Sequence, residues 1–257
     1  MNIERARDAL DGLMFGDGTL RRFPKTALYH MGQCKPTVSL EDHLKWEYWL
    51  KDNVFSALGI KATARLRRGI SKGKEYRFAD MWTQASSLLA IVHDEWYTGG
   101  EWAKPRNSSP HVQGAVKRIP ERLMSVSEMP ISTLVQWFLG DGGSGWIGIT
   151  NTCPAVHVQF STHCFTKEEV YHLMDMLSGI GIVTTKPKQC KSAKGSGLVI
   201  RLAQESINYF MDLVAPTIIE MFGDSVGLSY KDLLKYRVSS SYKYYPRTNY
   251  PSEVKTC

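Results

Sequence analysis

The sequence predicts an α+β fold in which one αββαββα unit occurs twice. Three observations carry that reading. Residues 10–18, LDGLMFGDG, and residues 134–142, LVQWFLGDG, are both apolar runs that end in Gly-Asp-Gly. Landmarks then recur in register. Gly59 follows Asp17 by 42 residues and Gly181 follows Asp141 by 40, in the similar phrases Leu58-Gly59-Ile60 and Ile180-Gly181-Ile182, while Arg77 and Arg201 each lie 60 residues after their aspartate. The segments between also start alike, Ser39 with Asp42 and Thr166 with Glu169, as an N-cap followed three residues later by an acid. An ordered set of shared features at one period argues for two copies of one structural unit.

The elements follow from local pattern. Apolar residues at helical spacing predict helices over 3–15 and 132–139, each leading into an extended stretch, 19–33 and 146–161. The capped segments predict helices over 39–58 and 166–178, the first with a stripe of Leu40, Leu44, Tyr48, Phe55 and Leu58. In Lys61-Ala62-Thr63-Ala64-Arg65-Leu66-Arg67, polar and apolar residues alternate, which predicts a strand with one basic face and one buried face. A closing helix is expected over 83–97 and over 205–215. Residues 98–127, rich in Gly, Pro, Asn, Ser and basic residues, read as a linker between a first unit, 1–97, and a second, 128–257.

Composition narrows the class. Two units of this size with a hydrophobic fraction of 43% are enough for packed cores. No apolar run approaches the ~20 residues of a membrane span, and the first residues lack the apolar region of a signal peptide. Five scattered cysteines, Cys34, Cys153, Cys164, Cys190 and Cys257, form no Cys-x-x-Cys pair, so neither a disulfide framework nor a zinc finger is expected. The expectation is a soluble, intracellular, reduced protein with no membrane partner. The ends, Met1-Asn2-Ile3 and Lys255-Thr256-Cys257, do not suggest an intein.

Thirty-two Lys and Arg against 25 Asp and Glu give a net charge of +7, which favours polyanionic partners. The basic residues concentrate in predicted strands and turns: Arg21, Arg22, Lys25, Arg65, Arg67, Arg68, Lys72 and Arg77 in the first unit, Lys186, Lys188, Lys191 and Arg201 in the second. Twisted sheets with one basic face from each unit form a positive saddle suited to a duplex. Six of the seven tryptophans, Trp46, Trp49, Trp82, Trp96, Trp102 and Trp137, are expected in the core or at helix contacts. A carboxylate at the foot of each motif helix suits oxygen-preferring divalent cations and phosphodiester chemistry, provided the small residues Gly12, Gly16 and Gly140 let the helices approach.

On these residues the chain resembles the two-motif LAGLIDADG homing endonucleases. Residues 10–18 match the nine-residue motif at Leu10, Gly12, Leu13, Asp17 and Gly18. The second copy, with Gly143 after it, is close to the LAxWFxDDGG form of one branch. That branch also carries a basic-basic-apolar-Pro signature, here Lys117-Arg118-Ile119-Pro120, and a Phe-Thr-x-x-Glu-Val helix start, here Phe165-Thr166-Lys167-Glu168-Glu169-Val170. The resemblance spans about residues 9–237. It implies two pseudosymmetric units, each a four-stranded antiparallel saddle sheet with helices on one face.

The resemblance also implies a site. Asp17 and Asp141 would bind Mg²⁺, with Mn²⁺ substituting and Ca²⁺ supporting binding without cleavage, and the carbonyls of Gly16 and Gly140 would assist. Lys117 matches the family's active-site lysine in the first half. Lys231 is its counterpart in the second half, with Lys235 a rival, and Gln33 matches a polar active-site position. Phe15 and Leu139 replace the motif's first acid in both copies, and Gln136 stands where a small residue is usual, which sets the halves apart. The implied activity is a monomeric, intron-encoded, site-specific double-strand DNA endonuclease acting on a long non-palindromic site. The alternatives are an RNA-binding maturase assisting group I intron splicing, and a DNA-binding regulator that does not cleave.

Overall fold

The computed structural model describes residues 1–33, 40–71, 74–103, 110–147, 155–192 and 195–223. The chain divides into two units, Met1–Ser125 and Val126–Cys257. The first opens with α1 (Ile3–Phe15), whose start is capped by the Asn2 side chain accepting from the Arg5 N–H at 2.9 Å. Strands β1 (Thr19–Arg22) and β2 (Ala27–Gln33) follow, then α2 (Leu40–Trp49), β3 (Ala62–Ser71), β4 (Lys74–Thr83) and α3 (Ser87–Trp96). The second unit repeats this order as α5 (Ile131–Asp141), β9 (Gly142–Ile147), β10 (Ala155–Ser161), α6 (Lys167–Gly179), β11 (Lys188–Ser192), β12 (Gly195–Arg201) and α7 (Ile207–Phe222).

The sheets share one topology. The first is antiparallel in the order β1-β2-β4-β3 and the second in the corresponding order β9-β10-β12-β11. In each, the hairpin that follows the motif helix pairs through its second strand with the last strand of the other hairpin. Two copies of αββαββα, read from the sequence, are therefore the architecture.

Residues 98–125 are more than a linker. They form β5 (Tyr97–Thr98), β6 (Glu101–Ala103), β7 (His111–Gln113), β8 (Val116–Lys117) and α4 (Glu121–Met124), which belong to the first unit. β5 pairs with β8, and β6 with β7. Their turn-rich composition reflects short hairpins as readily as a free connector.

Helix packing explains the cores. Residues 9–15 of α1 and 132–140 of α5 are buried without a break. In the first unit Phe15 meets the Trp96 ring edge-on at 4.9 Å, and Tyr29 packs on Phe55 at 5.1 Å. In the second, Trp137, Phe138 and Phe210 gather around Phe160, with Trp137 and Phe160 centroids 4.2 Å apart. The α6 start is a capping box: the Thr166 hydroxyl accepts from the Glu169 N–H, and the Glu169 carboxylate accepts from the Thr166 N–H at 2.7 Å. Ser39, its expected counterpart, lies outside the described residues.

The first unit departs from expectation along 40–58. The helix changes to π-type hydrogen bonding over Leu50–Phe55, which moves the buried stripe by about one residue, onto Val54 and Phe55. Its buried face upstream is Asp42, His43, Trp46, Glu47 and Trp49, while Tyr48 is exposed. Polarity misdirected the predicted stripe, because the helix buries charged groups.

The glycines after the motif aspartates serve close approach. Neither helix ends in a left-handed residue: Gly16 has φ −96° and Gly142 φ −70°. A Cβ on Gly18 would lie 2.6 Å from the Leu13 carbonyl oxygen and 2.8 Å from Tyr29 Cε2. On Gly142 it would lie 2.5 Å from the Phe138 carbonyl oxygen.

Two measurements follow. Gly18→Ala should destabilise the protein by about 1–3 kcal/mol in chemical denaturation, because backbone and a buried ring must move to admit the methyl. Glu47 is fully buried, and burial, reinforced by the charge of Asp80, pushes its carboxyl up to about 8 from 4.5. Between those values the folded chain holds a proton that the unfolded chain has lost. Stability therefore falls as pH rises, by about 1 kcal/mol per pH unit, and levels off above the folded value. Glu47→Gln should flatten that dependence in denaturation titrations across the same range.

Candidate metal and nucleic-acid site

The foot of α1 is a tight turn. The Gly16 N–H donates to the carbonyls of Gly12 and Leu13, and the Gly18 N–H donates to Leu13 at 3.0 Å, so the chain folds back beneath the last helical turn before entering β1. Asp17 sits half-buried between the two glycines. The Lys117 ammonium donates to the carbonyl oxygens of Gly16 and Gly18, both at 3.0 Å. The sequence pairs these residues only by resemblance; the structure brings them together across about a hundred positions. Tyr29 closes the other side, its hydroxyl held well above its ordinary range by burial first, then by the charges of Asp17 and Glu47.

Lys117 is itself fixed. It pairs with Tyr97 in the β5–β8 ladder, and the next residue, Arg118, donates its N–H to the Trp96 carbonyl at 2.7 Å. Downstream, Arg122 donates to Asp11 of α1 at 2.6 Å and to Glu95 of α3 at 3.0 Å, and Trp96 Nε1 donates to the same Asp11 oxygen at 3.0 Å. Asp11 is fully buried.

The second unit places Asp141 differently. It is the last residue of α5, half-buried, with Gly140 buried inside the final turn and Gly142 already the first residue of β9. Gln136 is buried within α5. Lys231 and Lys235 lie outside the described residues, and Gln33 ends β2 opposite Ala79 of β4. Among the described residues, no group of three or more His, Cys, Asp or Glu is gathered to hold a metal ion. Each unit's own candidate donors are one carboxylate and nearby backbone carbonyls. Those are hard oxygen ligands, a set that fits a cation which keeps waters and takes phosphate oxygens.

Register sorts the basic residues. Cross-strand partners put Arg21, His30, Asp80, Trp82, Arg65 and Arg67 on one face of the first sheet, opposite the buried Leu20, Tyr29, Ala64, Ala79 and Met81. Arg65 and Arg67 are exposed there, as the alternating pattern predicts, and Lys25 is exposed in the β1–β2 turn. Arg21 is exposed and lies 3.1 Å from His111 of β7. Three expectations need correction. Arg22 shares the face of buried Leu20 and is paired through Nε and NH2 with the Asp94 carboxylate on α3, at 2.9 and 3.0 Å. That pairing raises the Arg22 guanidinium and lowers the Asp94 carboxyl. Arg68 and Arg77 face each other across β3 and β4 on the helix side of the sheet, where the hairpin runs past the core, as the 79% exposure of Ile70 shows. Lys72 lies outside the described residues.

In the second sheet Arg201 pairs with Gln159, its Nε donating to Oε1 at 3.3 Å, on the face opposite buried Phe160 and Ile200. Lys188 is exposed opposite Val199, Lys186 is exposed just before β11, and Lys191 pairs with Ser196.

Sequence reasoning missed His30, Asp80 and Trp82. Trp46, Trp49, Trp96 and Trp137 are buried as expected, but Trp102 is 56% exposed, and Trp82 lies beneath arginines on the outer face. Only the strand register, which no local pattern reveals, puts these three beside Arg65 and Arg67.

No family model matches the chain, and no curated protein matches it. Solved structures do. The chain is similar to the homing endonuclease I-WcaI bound to its DNA recognition sequence, with a TM-score of 0.62 and 16% identity over 90% of this chain and 88% of that one. The N-terminal LAGLIDADG domain of WhiA matches with a TM-score of 0.44 and 11% identity, over 83% of this chain and 84% of that one. Full-length WhiA from Thermatoga maritima matches with a TM-score of 0.44 and 10% identity, over 86% and 60%. Among the described residues, no helix is long and apolar enough to cross a membrane. With two αββαββα units of matching strand order, each headed by a helix that runs into Gly-Asp-Gly, this chain has the LAGLIDADG homing endonuclease fold.

Proposed function

We propose that the protein is a site-specific, intron-encoded endonuclease that acts as a monomer on double-stranded DNA, cutting one phosphodiester bond per strand of a long, non-palindromic site. The observation that carries this reading is the Lys117 ammonium bonded to both carbonyls that flank Asp17. A carboxylate and a fixed cation on one tight turn, beside a basic sheet face, suit a phosphate group and the metal that accompanies it. The fold's likeness to a DNA-bound homing endonuclease supports the choice of DNA.

In this reading Asp17 and Asp141 hold Mg²⁺, or Mn²⁺ in its place, with the carbonyls of Gly16 and Gly140 as further oxygen donors. When bound, the metal supplies an activated water and charge stabilisation for the leaving 3′-oxygen. The chain supplies the rest. Lys117 offsets charge developing on the phosphate and holds the turn that aims Asp17. Lys231 or Lys235 takes the same part in the second unit, and Gln33 orders water. Arg21, Lys25, Arg65, Arg67, Lys186, Lys188, Lys191 and Arg201 meet the duplex, those that bind phosphates setting register and those that reach base edges setting sequence.

Selection from a random duplex library with Ca²⁺, followed by addition of Mg²⁺, tests the reading. One long, non-palindromic sequence should be captured and then cut. Failure to capture any duplex would defeat the proposal; capture without cutting would reduce it to DNA binding alone. Asp17→Asn and Asp141→Asn should each abolish double-strand cleavage and leave binding in Ca²⁺ within a few-fold. Lys117→Met should slow single-turnover cleavage by about a hundredfold or more with little change in affinity.

A further inference from the structure

Asp80 is an anomaly on the outer face of the first sheet. Its side chain is 2% exposed, yet it lies in register between Gly32 and Arg65 on a face that also carries His30, Arg67 and Trp82. Both carboxylate oxygens are engaged. Oδ1 accepts from His30 Nε2 at 2.8 Å on β2, and Oδ2 accepts from Arg67 NH1 at 3.0 Å on β3. Beside it the Trp82 ring lies under two guanidinium groups, with Arg65 at 4.4 Å and Arg67 at 5.7 Å from its centroid. The side chains of His30 and Arg67 remain half-exposed, at 51% and 49%.

A buried carboxylate on a face that meets a polyanion opposes binding through desolvation and repulsion. Surface arginines that only neutralise phosphate need no such partner, because that contribution comes from charge and is independent of sequence. A carboxylate that ties two cationic side chains from neighbouring strands does something else. It removes their rotamer freedom before the ligand arrives. Arg67 is held through NH1 by Asp80 and lies over the Trp82 ring, which leaves the other N–H donors of its planar fork for a ligand. That geometry matches the O6 and N7 acceptors of guanine in the major groove.

We infer that Asp80 is a positioning residue that fixes Arg67 and His30, with Arg65 stacked beside them on Trp82, as a preorganised reader of a guanine-containing step in the DNA half-site bound by the first unit. The inference rests on the DNA reading above and adds the residue that sets specificity there.

The signs of two effects separate this role from a structural one. Asp80→Asn removes a negative charge from the DNA-facing surface, so affinity for random-sequence duplex should hold or rise. Discrimination at one or two adjacent guanine-bearing positions should instead fall by about tenfold or more. Arg67→Gln, at a half-exposed position, should relax the same positions. The double variant should lose little beyond either single one, because Asp80 acts through Arg67.

The experiment is library selection in Ca²⁺ on the full chain, with the parent and the three variants compared by sequence preference, random-duplex affinity and thermal melting. Relaxation confined to the same positions in both single variants supports the inference. An unchanged preference in Arg67→Gln overturns it even if Asp80→Asn fails to fold. Equal loss of specific and random-duplex binding in a folded Asp80→Asn also overturns it. A parent that selects no duplex defeats the DNA reading itself, a result distinct from either.

Discussion

The first unit depends on how closely the chain passes beneath its motif helix. Gly18 has no room for a methyl between the Leu13 carbonyl and the Tyr29 ring. That closeness holds Asp17 at the helix foot, and it turns the carbonyls of Gly16 and Gly18 to where one ammonium reaches both. A looser turn would separate those carbonyls and leave Lys117 without a fixed place. Gly142 meets the same limit against Phe138 in the second unit, although its helix runs on to include the aspartate. The shared requirement is therefore steric proximity. Helix termination differs between the copies.

Proximity alone would not hold Lys117, which lies on a short strand in a turn-rich segment. The segment is fastened at both ends. Upstream, β8 pairs with β5 directly after α3; downstream, Arg122 joins the buried Asp11 and Glu95. Arg7 also bonds to Glu95, so α1, α3 and α4 share one ionic cluster, closed by the Trp96 indole on Asp11. Breaking one partner of such a cluster strands a buried charge, which costs far more than an exposed pair contributes. The unit accepts the cost of burying Asp11 in the motif helix, and the lysine-bearing segment is held against that helix.

Much of this was legible in the sequence, and the boundary is physical. The repeat, the helix starting at Ile3, the capping box at Thr166 and the alternating face of Arg65 and Arg67 are local patterns, set by periodicity within a few residues. Asp17 and Asp141 could be singled out because each ends a repeated phrase. What was missed depends on register or on burial of charge. Arg22 looked like its neighbour Arg21 until pairing with β2 placed it on the opposite face beside Asp94. Asp42 reads only as the acid that follows the Ser39 cap, and Glu47 and Asp80 stand out in no local pattern, yet all three are buried. A buried charge is invisible to pattern because its environment is built by strands and helices distant in sequence.

The two units also show which features a duplication must keep. Strand order is retained, since it follows from the sequence of hairpins and crossover helices. The helix foot is not: Asp17 lies beyond the end of its helix, whereas Asp141 is helical. The segment carrying Lys117 follows α3, and the position equivalent to it in the second unit is the stretch after α7, where Lys231 and Lys235 lie. Two copies related by exact symmetry would present matching faces and favour a palindrome. Here the first sheet holds His30, Asp80, Arg67 and Trp82 in one cluster, while the second pairs Arg201 with Gln159. Faces that differ in charge and in donor geometry offer a ligand different contacts, which under the proposed DNA reading corresponds to a site whose halves differ.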